Sequence, residues 1–143
     1  MTGEMFQFRP TRHAGSGVAV TPDFQFALYI GTDNRVALRE TIGGKTKWNW
    51  PGKHSTPPDE FHLPDSAAYA ALIFPDHWVE VWDTARDRLV LGAQLLRQAA
   101  QSAYFAPVRP FHLHSALPLA AGVDEKGVAW VRCLDTGAHE QMV

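Results

Sequence analysis

Hydrophobic and polar residues alternate in short runs along this chain, and Gly or Pro interrupts them about every ten to fifteen residues. In DFQFALYIG, Phe24, Phe26, Leu28 and Ile30 fall on one face and Gln25, Ala27 and Tyr29 on the other. That period of two belongs to a strand, because successive side chains of extended backbone point to opposite sides. Thr32-Asp33-Asn34 supplies turn residues that tolerate left-handed backbone. RVALRET alternates again, with Val36, Leu38 and Ile42 near one face; Gly43-Gly44 reverse the chain and KTKWNW follows as the third strand of a meander. HWVEVWD and RLVLGA make two more strands around the turn TARD. PFHLHSALPLA, GVDEKG and VAWVRCLD make a last hairpin.

Three stretches read differently. Residues 51–65, PGKHSTPPDEFHLPD, hold four prolines and predict a long irregular loop, since proline lacks the N–H donor and restricts the residue before it. In AQLLRQAAQSAYF, Gln94, Arg97, Gln98 and Gln101 recur at helical spacing. Leu95, Leu96, Ala99, Ala100, Ala103 and Tyr104 cover the other side, which predicts an amphipathic helix ending before Pro107. SAAYAALIF reads either as a short alanine-rich helix capped by Asp65 or Ser66 or as a buried strand, and leans to the helix. The expected fold is one α+β domain over residues 1–143. An antiparallel sheet, curled or closed into a partial barrel, dominates it, with one amphipathic helix packed on the sheet and a frayed tail at 137–143. No repeat stands out that would indicate a propeller or solenoid.

Composition agrees with a single folded domain: 143 residues, 45% hydrophobic and 20% charged. A net charge of −2 argues against a dedicated duplex nucleic-acid binder. The lone Cys133 forbids an intrachain disulfide and reads as a small buried hydrophobe. No apolar run suits a signal peptide or a membrane span, so the expected location is cytoplasmic.

The tryptophans are the first candidates for chemistry. Trp48 and Trp50 share a strand face, and so do Trp78, Glu80 and Trp82, opposite the natural core pair Val79 and Val81. Indoles beside a carboxylate suit a small polar ligand such as a glycan, with Arg39 as a further contact. The leading expectation is therefore a non-enzymatic binding module using Trp48, Trp50, Trp78, Glu80, Trp82 and Arg39, with no catalytic residue and no cofactor. Residues 28–50, LYIGTDNRVALRETIGGKTKWNW, resemble a hairpin unit of the small fucose-binding bacterial and fungal lectins. That resemblance implies sugar contacts at Arg39, Glu40 and Trp48.

Three alternatives stand beside this one. Aromatic residues favour interface centres, so the chain could be a protein–protein interaction subunit or inhibitor of phage or secretion-system type, with self-association as a further option. Lys45, Lys47 and Lys53 interleaved with Trp48 and Trp50 suit single-stranded nucleic acid. His112 and His114, spaced to share a strand face, could ligate a metal if a third ligand joins them, which would make the chain a metal-dependent enzyme.

Overall fold

The computed structural model describes residues 18–32, 34–52, 54–97 and 109–136, and the backbone of 139–142. Twelve strands are present: β1 (Val18–Val20), β2 (Phe26–Ile30), β3 (Val36–Glu40), β4 (Thr46–Asn49), β5 (Glu60–His62), β6 (Tyr69–Ile73), β7 (Trp78–Asp83), β8 (Arg88–Gln94), β9 (Phe111–Leu113), β10 (Leu119–Val123), β11 (Ala129–Cys133) and β12 (His139–Met142). They form three four-stranded antiparallel sheets, β1–β4, β5–β8 and β9–β12, each with its strands in chain order.

The expected α+β fold is thus corrected to all-β: the described residues contain no helix. Neither stretch expected to be helical is a helix where the structure describes it. Tyr69–Ile73 is the second strand of its sheet, and Ala70, Ala71, Leu72 and Ile73 are fully buried. A strand covered on both faces loses its alternation, so periodicity cannot separate it from a buried helix. At the other site, Gln94 ends β8, Leu95 bridges to Asp124, and the side chains of Gln94 and Arg97 both donate to the carbonyl of Asp76. The polar stripe therefore starts in extended backbone; residues 98–104 lie outside the described set. The 51–65 loop contains the short strand β5, and the tail expected to fray holds β12, paired with β11.

The three sheets share backbone hydrogen bonds at their central hairpins. The hairpins β2–β3, β6–β7 and β10–β11 close identically. Gly31 N–H bonds Arg35 O and Asn34 N–H bonds Gly31 O; Phe74, Trp78 and His77 repeat this, as do Asp124, Val128 and Gly127. The last loop residue is left-handed each time, with φ of 65° at Asn34, 66° at His77 and 81° at Gly127. A second repeated device joins the third strand's end to the second strand's entry. Thr41 bonds the carbonyls of Gln25 and Phe24 through its N–H and hydroxyl, and Thr84 bonds those of Ala68 and Ala67 in the same way. Phe24 and Ala67, the equivalent residues, both carry positive φ, 59° and 56°.

Two cores lie between the sheets. Leu28, Ile30, Val36, Leu38 and Trp48 of the first sheet pack with Phe61, Ala70, Leu72 and Phe74 of the second. On the second sheet's other face, Ala71, Ile73, Val79, Val81 and Leu91 pack with Leu113, Ala120 and Trp130 of the third. Val79 and Val81 are the fully buried pair that the alternation of HWVEVWD predicts. The alternating burial of β7 leaves Trp78, Glu80 and Trp82 facing the first sheet.

Candidate functional site

The two tryptophan pairs converge in space. Glu80 accepts hydrogen bonds from three indoles: Oε1 from Trp82 at 2.9 Å and Trp50 at 3.2 Å, Oε2 from Trp78 at 3.2 Å. The fourth indole, Trp48, donates to Asp87 at 2.8 Å and packs 5.8 Å from the ring of Trp82. Trp50 lies 5.5 Å from the fully buried Phe74. Trp48 is only 4% exposed; Trp50, Trp78 and Trp82 are half-buried against the same core. These rings do not form an open wall of indoles. They join the first sheet to the second, with a carboxylate whose burial is compensated by N–H donors. Their polar atoms, which a sugar hydroxyl would need, already have partners.

Glycine makes room for some of these rings. A Cβ on Gly92 would sit 2.9 Å from Trp78, and one on Gly122 would sit 2.5 Å from Trp130. Both distances are shorter than real contacts permit, so the indoles lie on bare backbone.

Arg39 and Trp50 both line a cleft of about 780 Å³ beside the first sheet, so Trp50 borders it while its indole donates to Glu80. Tyr29 and Ala37 floor it, both nearly buried. Asn34, Arg35, Arg39 and Asn49 line it from the sheet, and the segment from Trp50 through Gly52, His54 and Ser55 to Pro57 forms its wall. That wall is anchored. Trp50 N–H bonds Val36 O at 3.0 Å, the His54 ring stacks on Phe74 at 4.0 Å, and its Nε2 bonds Asp76 at 3.1 Å. Arg39 holds its guanidinium carbon 6.0 Å from the Tyr29 ring centroid, and its Nε is shielded from solvent with no hydrogen-bond partner among the described residues. This cleft lies at the start of the proline-rich loop that the sequence marks as irregular.

The remaining candidates are dispersed. Glu40, implied by the lectin resemblance, is half-buried at the end of β3. Lys47 donates to the carbonyl of Ala67 and lies 4.8 Å from the Phe26 ring, on the inter-sheet side, while Lys45 is exposed. Lys53 lies outside the described residues. His112 is exposed; His114 follows β9 and accepts the N–H groups of Ala116 and Leu117 through Nδ1. Among the described residues no three His, Cys, Asp or Glu side chains gather as a metal would require. Cys133 is half-buried and its thiol donates to Asp135.

A charged group that sequence reasoning missed pins the second sheet to the approach to the third. Arg109 donates to both carboxylate oxygens of Asp59, at 2.7 and 3.0 Å, and to Glu60 at 3.4 Å. Glu60 also bonds His62 at 2.6 Å. Burial works against the charge on Glu60, but the hydrogen bond from His62 and the charges of His62 and Arg109 outweigh it, so its carboxyl titrates below the ordinary range.

No family model and no curated protein matches the chain. Solved structures do. Over 94% of this chain it superposes on the C-terminal WD40 domain of Sif2 with a TM-score of 0.62 at 9% identity, covering 36% of that protein. The Cps50 (Swd1) β-propeller domain of Myceliophthora thermophila gives 0.61 at 14% identity over 96% of this chain and 40% of its own, and U3-55K gives 0.57 at 12% over 94% and 42%. The chain thus spans about two-fifths of these neighbours. At such identities the likeness is one of fold: each four-stranded sheet resembles one blade of a WD40 propeller, and the three together resemble a run of consecutive blades.

Proposed function

We propose that this chain is a protein–protein interaction module and that the cleft on its first blade is a contact surface. The observation behind this reading is how the aromatic residues are used. The tryptophans that would otherwise offer a ligand face join blade one to blade two, while a preformed polar cleft stays open beside them. Blades built by radial repetition place their connecting segments at the sheet ends, where loops are free to carry recognition. The WD40 likeness supports a scaffold of this kind. Affinity capture on the immobilised chain, followed by cross-linking, tests the reading. A discrete partner should cross-link next to the cleft, and Ser55→Trp, a bulky change at an exposed lining residue, should reduce its retention at least tenfold. Equal retention by this variant would contradict the reading.

A small polar ligand is the second reading, and one observation favours it: Arg39 and Trp50, both candidates from the sequence, line the same cleft. Tryptophan emission during titration with a glycan panel tests it. A saturable shift abolished by Ser55→Trp supports it, and a flat response across the panel counts against it.

A further inference from the structure

We infer that a cleft between blades two and three receives a tryptophan side chain from a peptide segment of a partner protein. This site is separate from the cleft beside the first sheet, and it emerges when the two blade junctions are compared position by position. The shared hairpin bonds align Arg35 with Trp78 and Val128. Counting onward, Ala37 and Arg39 match Glu80 and Trp82, and these match Trp130 and Arg132. Cross-strand register extends the match. Leu38 pairs with Trp48 as Val81 pairs with Leu91, and both strand pairs shift register immediately after that position. Trp48 therefore corresponds to Leu91, and Trp50, two residues on, to Ala93. At the first junction Trp48, Trp50, Trp78 and Trp82 fill the space between the sheets around Glu80. At the second junction the same positions hold Leu91, Ala93, Val128 and Arg132 around Trp130. Four indoles give way to one, and the space left is a cleft of about 390 Å³ lined by all five of these residues.

The cleft continues an established interface and is shaped before anything enters it. Leu91 and Trp130 belong to the buried core between these two blades. The bridge from Leu95 to Asp124 and the 2.9 Å bond from Leu96 N–H to Val123 O tie the end of β8 to the third sheet. Asp124 fixes the rim, because its Oδ1 accepts the N–H groups of Lys126 and Val128, both at 2.9 Å. Little ordering cost therefore falls on the protein when a ring enters. The lining also suits an indole chemically. Leu91, Ala93 and Val128 offer apolar contact, and Trp130 offers an aromatic neighbour. The Nε of Arg132 is shielded with no partner among the described residues, and a guanidinium can lie on an aromatic face. At the first junction the indole N–H groups find carboxylates, Glu80 and Asp87; here Asp124 and Glu125 stand in the lining to accept one. Those two carboxylates disfavour a phosphate-bearing ligand.

Fluorescence anisotropy with the 143-residue chain tests the inference. The probe is a dye-labelled peptide with one Trp among Gly and Ser residues, with Phe and Ala counterparts and N-acetyltryptophanamide as an unlabelled competitor. The Trp peptide should bind saturably and the Ala peptide should not. The Phe peptide, which lacks the N–H donor, should bind about threefold more weakly. Val128→Trp and Ala93→Trp each restore an indole that the first junction has, so each should weaken binding about tenfold by filling the cleft. Ser55→Trp, in the other cleft, should leave binding unchanged, which separates this site from the contact surface proposed above. Equal binding of the Trp and Ala peptides, no saturation up to about 1 mM, or wild-type affinity in a natively melting Val128→Trp would overturn the assignment. Competition by N-acetyltryptophanamide with the Trp peptide's own affinity would also overturn it, in favour of a small aromatic ligand. If both cleft-filling variants unfold, the comparison of Trp and Ala peptides on the wild type still decides.

Discussion

Glu80 sits where three indole N–H groups meet, and its role follows from what each partner would lose without it. Replacing it by leucine leaves three half-buried donors without an acceptor. Each such loss is costly, though partial exposure lets water recover some of it. We expect Glu80→Leu to destabilise the fold by about 2 kcal/mol, read as a lower urea midpoint with red-shifted tryptophan emission. An unchanged midpoint and spectrum would mean that the carboxylate does not hold the blades together. Two glycines separate backbone cost from packing cost. Gly127 has a φ of 81° and open space around it, so Gly127→Ala should cost about 1 kcal/mol through left-handed strain alone. Gly122→Ala would thrust a methyl group into Trp130 and should cost more, about 2–3 kcal/mol. Thermal melts of the two variants test that order, and the reverse order would contradict the packing described.

Elements are held together by a charged cluster as well as by the cores. Arg109 enters the third sheet while Asp59 and Glu60 open the second, so this cluster links neighbouring blades where they begin. Because the Glu60 carboxyl titrates below its unfolded range, it contributes stability above that range and loses it as pH falls through the folded value. The urea midpoint of the wild type should therefore drop as pH is lowered from about 6 to 3, and Glu60→Gln should flatten part of that drop. Parallel wild-type and variant profiles would show that Glu60 carries none of it. Element type was legible where burial alternates along the strand, as at Trp78–Asp83. It was lost at Tyr69–Ile73, where burial on both sides erases the period and alanine's helix propensity is overridden by packing.

Across the whole molecule, the threefold repetition is carried by backbone geometry, which side-chain identity hides. Phe24 and Ala67 share a left-handed conformation and an equivalent position without chemical similarity, and so do Asn34, His77 and Gly127. Two side-chain signals were present. Thr41 and Thr84 make the same pair of bonds, and Trp82-Asp83, which closes β7, is a dipeptide that marks propeller blades. Local turn chemistry accounts equally well for Asp83, which accepts the N–H groups of Ala85 and Arg86, and that explanation hid the repeat. The candidate site was half legible. Alternation put Trp78, Glu80 and Trp82 on one face, but it could not show that the first blade covers that face. Nor could it show that Trp50 borders a cleft shared with Arg39 while its indole bonds Glu80.

The claim that the indoles join blades is tested most directly by hydrogen exchange of the indole Nε1–H signals in a ¹⁵N–¹H correlation spectrum. Trp48, Trp50, Trp78 and Trp82 should exchange slowly, as groups bonded to Glu80 and Asp87. Rapid exchange at Trp78 and Trp82 would contradict the account and return those rings to a ligand-binding face.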